Sequence, residues 1–222
     1  MKQLVLENVS YCPKNSTEKI LDQINGEFLT GRIYFILGKK QTGKTTLLSI
    51  LAGLVRCTEG KILVDGEDLS LTNQDDFRAE KICCLFQNGN LVNDSALANL
   101  ELEMLLSKQP NRTDELINSL QIAGLTDKKI KTNIKKLTKK ERQMVYLAKI
   151  LVSRAKLILL DDPSQLFSEL DEEMIVRKIA DFCRGNDKCL VIVSQSNNAI
   201  KFADELWGLN GGKLLFIKEQ LR

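Results

Sequence analysis

Histidine is missing from all 222 residues, which removes every histidine-based acid, base or nucleophile-activating mechanism and most zinc sites. The six cysteines (Cys12, Cys57, Cys83, Cys84, Cys183, Cys189) form no Cys-x-x-Cys pair. Several lie in apolar, strand-like runs, so buried reduced thiols in a cytosolic protein are the expectation and metal binding a poor second. No apolar run approaches the roughly 20 residues of a membrane helix. The N-terminal stretch Met1-Lys2-Gln3-Leu4-Val5-Leu6-Glu7 alternates like a strand and lacks the apolar core of a signal peptide. Any membrane role is therefore expected to come through a partner. With 32 basic against 29 acidic residues the net charge is only +3, too slight to argue for a general nucleic-acid surface. Internal repeats and low-complexity segments are absent as well.

What the chain does carry is Gly38-Lys39-Lys40-Gln41-Thr42-Gly43-Lys44-Thr45-Thr46, set between an apolar run (Ile33 to Leu37) and a leucine-rich helical pattern (Thr45 to Leu54). The spacing Gly-x-x-x-x-Gly-Lys-Thr reads as a phosphate-binding loop. Bare backbone N–H groups can wrap a polyphosphate, Lys44 can reach its outer phosphates, and the Thr45 hydroxyl is placed to ligate Mg²⁺. The helix that starts there adds its dipole and unpaired N–H groups. An ordinary strand-to-helix turn is the bland alternative.

In chain order, strands are expected at Leu4 to Tyr11, Gln23 to Leu29, Ile33 to Leu37, Lys61 to Val64 and Ile82 to Phe86, with turn chemistry at Pro13 to Ser16 and a helix closed by Gly53. From Leu91 to Leu151 the periodicity turns helical, with breaks at Gln109-Pro110-Asn111 and Gly124. Strand character returns at Leu157 to Leu160, a continuous apolar run suited to a doubly covered parallel sheet. A helix (Glu169 to Phe182), a strand (Leu190 to Val193), a short helix (Asn197 to Ala203) and a hairpin (Leu206 to Leu209, Leu214 to Ile217) follow. One domain over 1–222 is expected, with a nucleotide-binding core (1–90 and 152–222) and an inserted helical lobe (91–151).

A second constellation ends the Leu157 strand, at Asp161-Asp162-Pro163-Ser164. A carboxylate at the carboxyl end of a buried strand beside a phosphate loop can hold Mg²⁺, which suits Asp161. Asp162 could orient or deprotonate an attacking water. Turn or helix-cap chemistry is the alternative for the same four residues.

The order of these pieces resembles the nucleotide-binding subunit of ATP-binding cassette (ABC) transporters, over nearly the whole chain. The resemblance implies an α/β P-loop NTPase fold of ABC ATPase type: a mixed, mostly parallel core sheet, an N-terminal antiparallel β subdomain and an inserted helical lobe. It implies ATP and Mg²⁺ as cofactors, Tyr11 stacking on adenine, and Gln87 linking the Mg²⁺ site to the lobe. Leu51-Ala52-Gly53-Leu54 and Glu59-Gly60-Lys61-Ile62 look like the family's stretch after the first helix. The wording from Leu85 to Leu91 is similar to the branch serving lipoprotein release and macrolide or peptide export. Implied partners are a membrane permease and a second cassette, in a homo- or heterodimer on the cytoplasmic face of the membrane.

The departures fall in catalytic places. Gln41 stands where the family usually has glycine. The signature Leu-Ser-Gly-Gly-Gln is here Leu137-Thr138-Lys139-Lys140-Glu141, which in the family touches the partner's γ-phosphate. Two lysines add bulk where backbone contact is needed, although Thr138 to Glu141 fits a capping box. Eight of the fifteen residues from Lys128 to Arg142 are basic; a solvated face, an acidic partner surface and a nucleotide phosphate all suit such a run. Asp162 replaces the family's glutamate and is one methylene shorter. Gln195 replaces the switch histidine and can donate a hydrogen bond but carry no proton. The family's Ser-Ala-Leu-Asp matches either Ser168-Glu169-Leu170-Asp171 or, ungapped, Gln165 to Ser168. The expectation is an ATPase subunit with impaired hydrolysis. A nucleotide-gated regulatory module is a second reading. A protein acting on nucleic acid or the ribosome is a third, resting only on the basic run.

Overall fold

The computed structural model describes residues 1–14 and 16–220. Residue 15, within the turn expected at Pro13 to Ser16, lies outside them, and the flanking Ser16 N–H donates to the Pro13 carbonyl at 3.0 Å.

Two sheets organise the chain. Strands β1 (Gln3–Tyr11), β2 (Leu21–Leu29), β4 (Glu59–Val64) and β5 (Glu67–Asp68) form an antiparallel sheet in the order β2-β1-β4-β5. The second sheet takes β3 (Ile33–Leu37), β6 (Ile82–Leu85), β7 (Leu157–Asp161), β8 (Cys189–Ser194), β9 (Glu205–Asn210) and β10 (Lys213–Glu219), ordered β10-β9-β3-β8-β7-β6. All its pairings are parallel except β9 with β10. This is the mixed, mostly parallel core with an N-terminal antiparallel sheet that the resemblance implied.

The central strands read as unbroken apolar runs because both sides are covered. On β3, Ile33 and Phe35 pack with Ile158, Leu160, Leu190 and Ile192 toward the helices of the middle segment. Tyr34 and Ile36 pack the other way, with Leu47, Leu48 and the antiparallel sheet. Every one of these side chains is fully buried, and each contributes about 1.5–3 kcal/mol of burial. Register is thereby fixed: a one-residue slip would exchange the two faces.

The helices are α1 (Lys44–Leu51), α2 (Gln74–Lys81), α3 (Ala96–Leu106), α4 (Thr113–Ile122), α5 (Asp127–Ile130), α6 (Lys139–Val152), α7 (Pro163–Leu166) and α8 (Glu172–Gly185). Helix α2 was not expected: its one buried apolar residue is Phe77, and Asn73 caps it by accepting from the N–H groups of Asp75 and Asp76. The helix expected from Glu169 starts at Glu172 instead, because the Asp171 side chain accepts from the Met174 N–H at 2.8 Å and sets the first turn. The expected helix from Asn197 to Ala203 is reduced to a single 3₁₀ turn, Ile200–Phe202. Of the two registers after Ser164, Gln165 and Leu166 fall inside α7, whereas Leu170 and Asp171 lead directly into α8.

Candidate functional site

Strand β3 runs straight into the loop, and parallel pairing with β8 and β7 brings the carboxyl ends of all three strands to one edge. There the loop from Gly38 to Gly43 turns into α1. Gly43 caps that helix at φ 93°, and a Cβ on it would lie 2.9 Å from Ile20 Cγ2. A Cβ on Gly38 would lie 2.6 Å from Thr42 Oγ1 and 2.8 Å from the Leu209 carbonyl oxygen. Both positions thus need glycine for backbone to come close to its neighbours.

Around this loop is a cavity of about 570 Å³, within the range of small-molecule sites. Lys40, Gln41, Gly43, Lys44, Thr45 and Thr46 line one side. Gln87, Asp161, Asp162 and Gln195 line the other. Gly38 and Lys39 border the adjoining space with Gln195, and the Thr42 hydroxyl donates to the Lys39 carbonyl at 3.0 Å.

Lys44 Nζ donates to the carbonyls of Gly38 (2.7 Å) and Lys39 (2.6 Å), which curls its stem over the loop. Burial lowers its pKa, and the nearby Asp162 and Asp161 carboxylates oppose that shift. The Thr45 hydroxyl donates to Asp161 Oδ2 at 2.7 Å. Burial raises the Asp161 pKa, and the Thr45 hydrogen bond opposes the shift. A hydroxyl and a carboxylate side by side are hard oxygen donors of the kind Mg²⁺ takes, together with substrate phosphates. Among the described residues no group of three or more His, Cys, Asp or Glu is clustered for a metal, so an ion here would depend on those phosphates. The donor set and the glycine-lined cradle fit an Mg-nucleotide.

Asp162 occupies a left-handed backbone conformation (φ 49°) and is 3% exposed. Its Oδ1 accepts from the hydroxyls of Ser164 (2.7 Å) and Ser194 (3.1 Å). Its Oδ2 accepts from Gln165 Nε2 (2.7 Å) and Gln195 Nε2 (3.2 Å). Gln87 Nε2 donates in turn to Gln165 Oε1.

Two sets of expected site residues do not line this cavity. Tyr11 ends β1 and packs against the apolar core; it does not line the cavity, whereas Ile20 does. Thr138, Lys139, Lys140 and Glu141 form the start of α6, also outside the cavity wall. The capping box expected there is present: the Glu141 N–H donates to Thr138 Oγ1 at 3.2 Å and the Thr138 N–H to Glu141 Oε2 at 2.7 Å. Lys139 pairs with Glu169 at 3.3 Å and Lys129 with Glu141 at 3.3 Å. Sequence reasoning missed Gln165 and Ile20 as lining residues. Gln165 had a signal, since it sits three positions after Asp162, one helical turn away; Ile20 belongs to no motif.

Comparison with known proteins agrees with this geometry. Residues 21–165 match the family model described as ABC transporter. The ABC transporter ATP-binding protein YclH of Bacillus subtilis (strain 168) is 31% identical over 207 residues, covering 92% of each chain. The ribose import ATP-binding protein RbsA of Rhodopirellula baltica is 26% identical over 89% of this chain, which spans 40% of that longer protein. Among solved structures, the dimeric bacterial ABC transporter cassette MJ0796 superposes with a TM-score of 0.86 at 25% identity, covering 99% of both chains. A post-hydrolysis dimer of the same cassette, bound to ADP and Pi, matches equally well. The chain therefore belongs to the ABC transporter family, as an ATP-binding subunit with the fold of an ABC-type ATPase.

Proposed function

We propose that this subunit binds MgATP through the loop from Gly38 to Thr46, hydrolyses it slowly, and couples the cycle to a membrane permease on the cytoplasmic face. The observation that carries this reading is the contrast within one cavity. The phosphate loop and the Thr45–Asp161 pair are intact, while the carboxylate in the water-activating position is fully engaged by four donors. Lys44 would hold the outer phosphates, and Thr45, Asp161 and Gln87 would hold Mg²⁺. Bound there, the ion would neutralise charge on the phosphate oxygens. Asp162 and Gln195 are the catalytic candidates, and Thr138 to Glu141 would face a partner's nucleotide in a homo- or heterodimer. On this reading residues 91–151 act as a lobe on the core 1–90 and 152–222. Adenine would rest near Ile20, whose N–H donates to the Tyr11 carbonyl at 2.8 Å, with Tyr11 as the stacking aromatic. Export of a peptide, lipid or drug-like substrate is supported by the wording from Leu85 to Leu91.

A nucleotide-gated module without useful turnover is the second reading, favoured by Gln195, whose amide is committed to Asp162. Titration with a fluorescent ATP analogue tests the shared part. Lys44→Ala should abolish binding; unchanged affinity in that variant would remove the foundation of both readings.

A further inference from the structure

An ionised carboxylate offers about four lone-pair positions. Asp162 has all four occupied: two by the Ser164 and Ser194 hydroxyls, two by the Gln165 and Gln195 amides. No lone pair is left for a water proton. Three of these donors have their backbone placed beside Asp162 by the fold. Ser164 is two residues from Asp162, and Ser194 and Gln195 end and follow β8, whose register with β7 pairs Asp161 with Val193. Gln165 differs. Like Gln195 it is exposed, here on the short α7, but its Oε1 also accepts from Gln87, so one side chain joins Asp162 to the residue expected to meet Mg²⁺ and the helical lobe.

We infer that Gln165 is a positioning residue for hydrolysis, a latch that occupies Asp162 Oδ2 until Gln87 draws its carbonyl away. The inference rests on the MgATP-hydrolysis reading above. In that reaction the water oxygen forms a bond to the terminal phosphorus as the bond from that phosphorus to the bridging oxygen breaks. The electron pair leaves with ADP, and the water proton passes to Asp162 Oδ2 and then to the released phosphate. With Gln165 in place Oδ2 has no vacant position; with Gln165 withdrawn it has one, facing the cavity that Asp162 lines. The coupling to Gln87 makes withdrawal depend on what Gln87 touches, so turnover is tied to the state of the nucleotide site and the lobe.

The test compares Gln165→Ala and Gln165→Met in the full chain, each alone and with Asp162→Asn. Folding is not at stake for an exposed side chain, and thermal melting checks it. Positioned general bases contribute about 10²–10⁴-fold, and Asp162 is one methylene short, so kcat should rise about tenfold with KM for ATP within about twofold. In the Asp162→Asn background the same substitutions should leave kcat unchanged, because the latch acts only through that carboxylate. A readout independent of turnover is the side-chain amide NMR signal of Gln87 in nucleotide-free protein, which should shift when Gln165 is replaced. Unchanged kcat, an equal rise in the Asp162→Asn background, or an unmoved Gln87 signal would each overturn the latch. If the wild-type chain failed to bind MgATP, the proposed function would fall together with the latch; binding with unaltered kcat would remove the latch alone.

Discussion

Gln41 holds φ 64° in the middle of the phosphate loop, a left-handed conformation that costs an ordinary side chain about 1–2 kcal/mol. That is the physical reason a glycine is expected at this position, and why its loss need not remove binding: the backbone still reaches the same shape under strain. Gln41→Gly relieves the strain but loosens the unfolded chain by about 0.4–1 kcal/mol. The net prediction is a gain of up to about 1.6 kcal/mol in denaturant unfolding, and a loss of stability would show that the glutamine makes a compensating contact. The buried thiols at the same scale carry no chemistry. Burial pushes Cys83 and Cys183 each up to about 12, so in the folded protein neither should react with iodoacetamide at neutral pH, and labelling should begin only on unfolding.

At the scale of elements, the capping box at the start of α6 isolates what the altered signature kept from what it lost. Two lysines follow Thr138, and lysine at a helix N-terminus opposes the dipole by about 0.3–1 kcal/mol each when exposed. The reciprocal hydrogen bonds of Thr138 and Glu141 and the ion pair of Lys139 with Glu169 offset that. Thr138→Ala should therefore cost about 1 kcal/mol in unfolding free energy, with Thr138→Ser restoring most of it. Strands β3, β7 and β8 were legible in the sequence because continuous apolar runs bounded by Gly38, Asp161 and Ser194 allow little else. The phosphate loop was legible because its glycines and Lys44 have fixed spacing. Helix α2 was hidden by its composition, with Phe77 as its single apolar anchor. The network around Asp162 was hidden for another reason: Ser194 and Gln195 lie 32 and 33 residues further along the chain, and only the β7–β8 register brings them to it.

For the whole molecule, charge is distributed unevenly despite a net of +3. Among the described residues Lys128, Lys131, Lys135, Lys136 and Lys140 are exposed and make no ion pair, unlike Lys129 and Lys139. A dimer that presents this stretch to a partner's nucleotide would use the uncommitted charge of Lys140 in place of the hydrogen bonds that two glycines would have allowed. Lys140→Glu should then weaken ATP-dependent association by about tenfold in sedimentation velocity, and an unaltered dissociation constant would place Lys140 outside the interface. Among the described residues no helix is long and apolar enough to cross a membrane. The central claim, that binding outlasts turnover in this chain, is tested most directly by measuring both on one preparation: the equilibrium affinity for MgATP and the steady-state release of phosphate. Saturable binding that Lys44→Ala removes, with kcat at least about 10²-fold below the median enzyme value of about 10 s⁻¹, is the predicted result. Turnover near that median, abolished by Asp162→Asn, would contradict it.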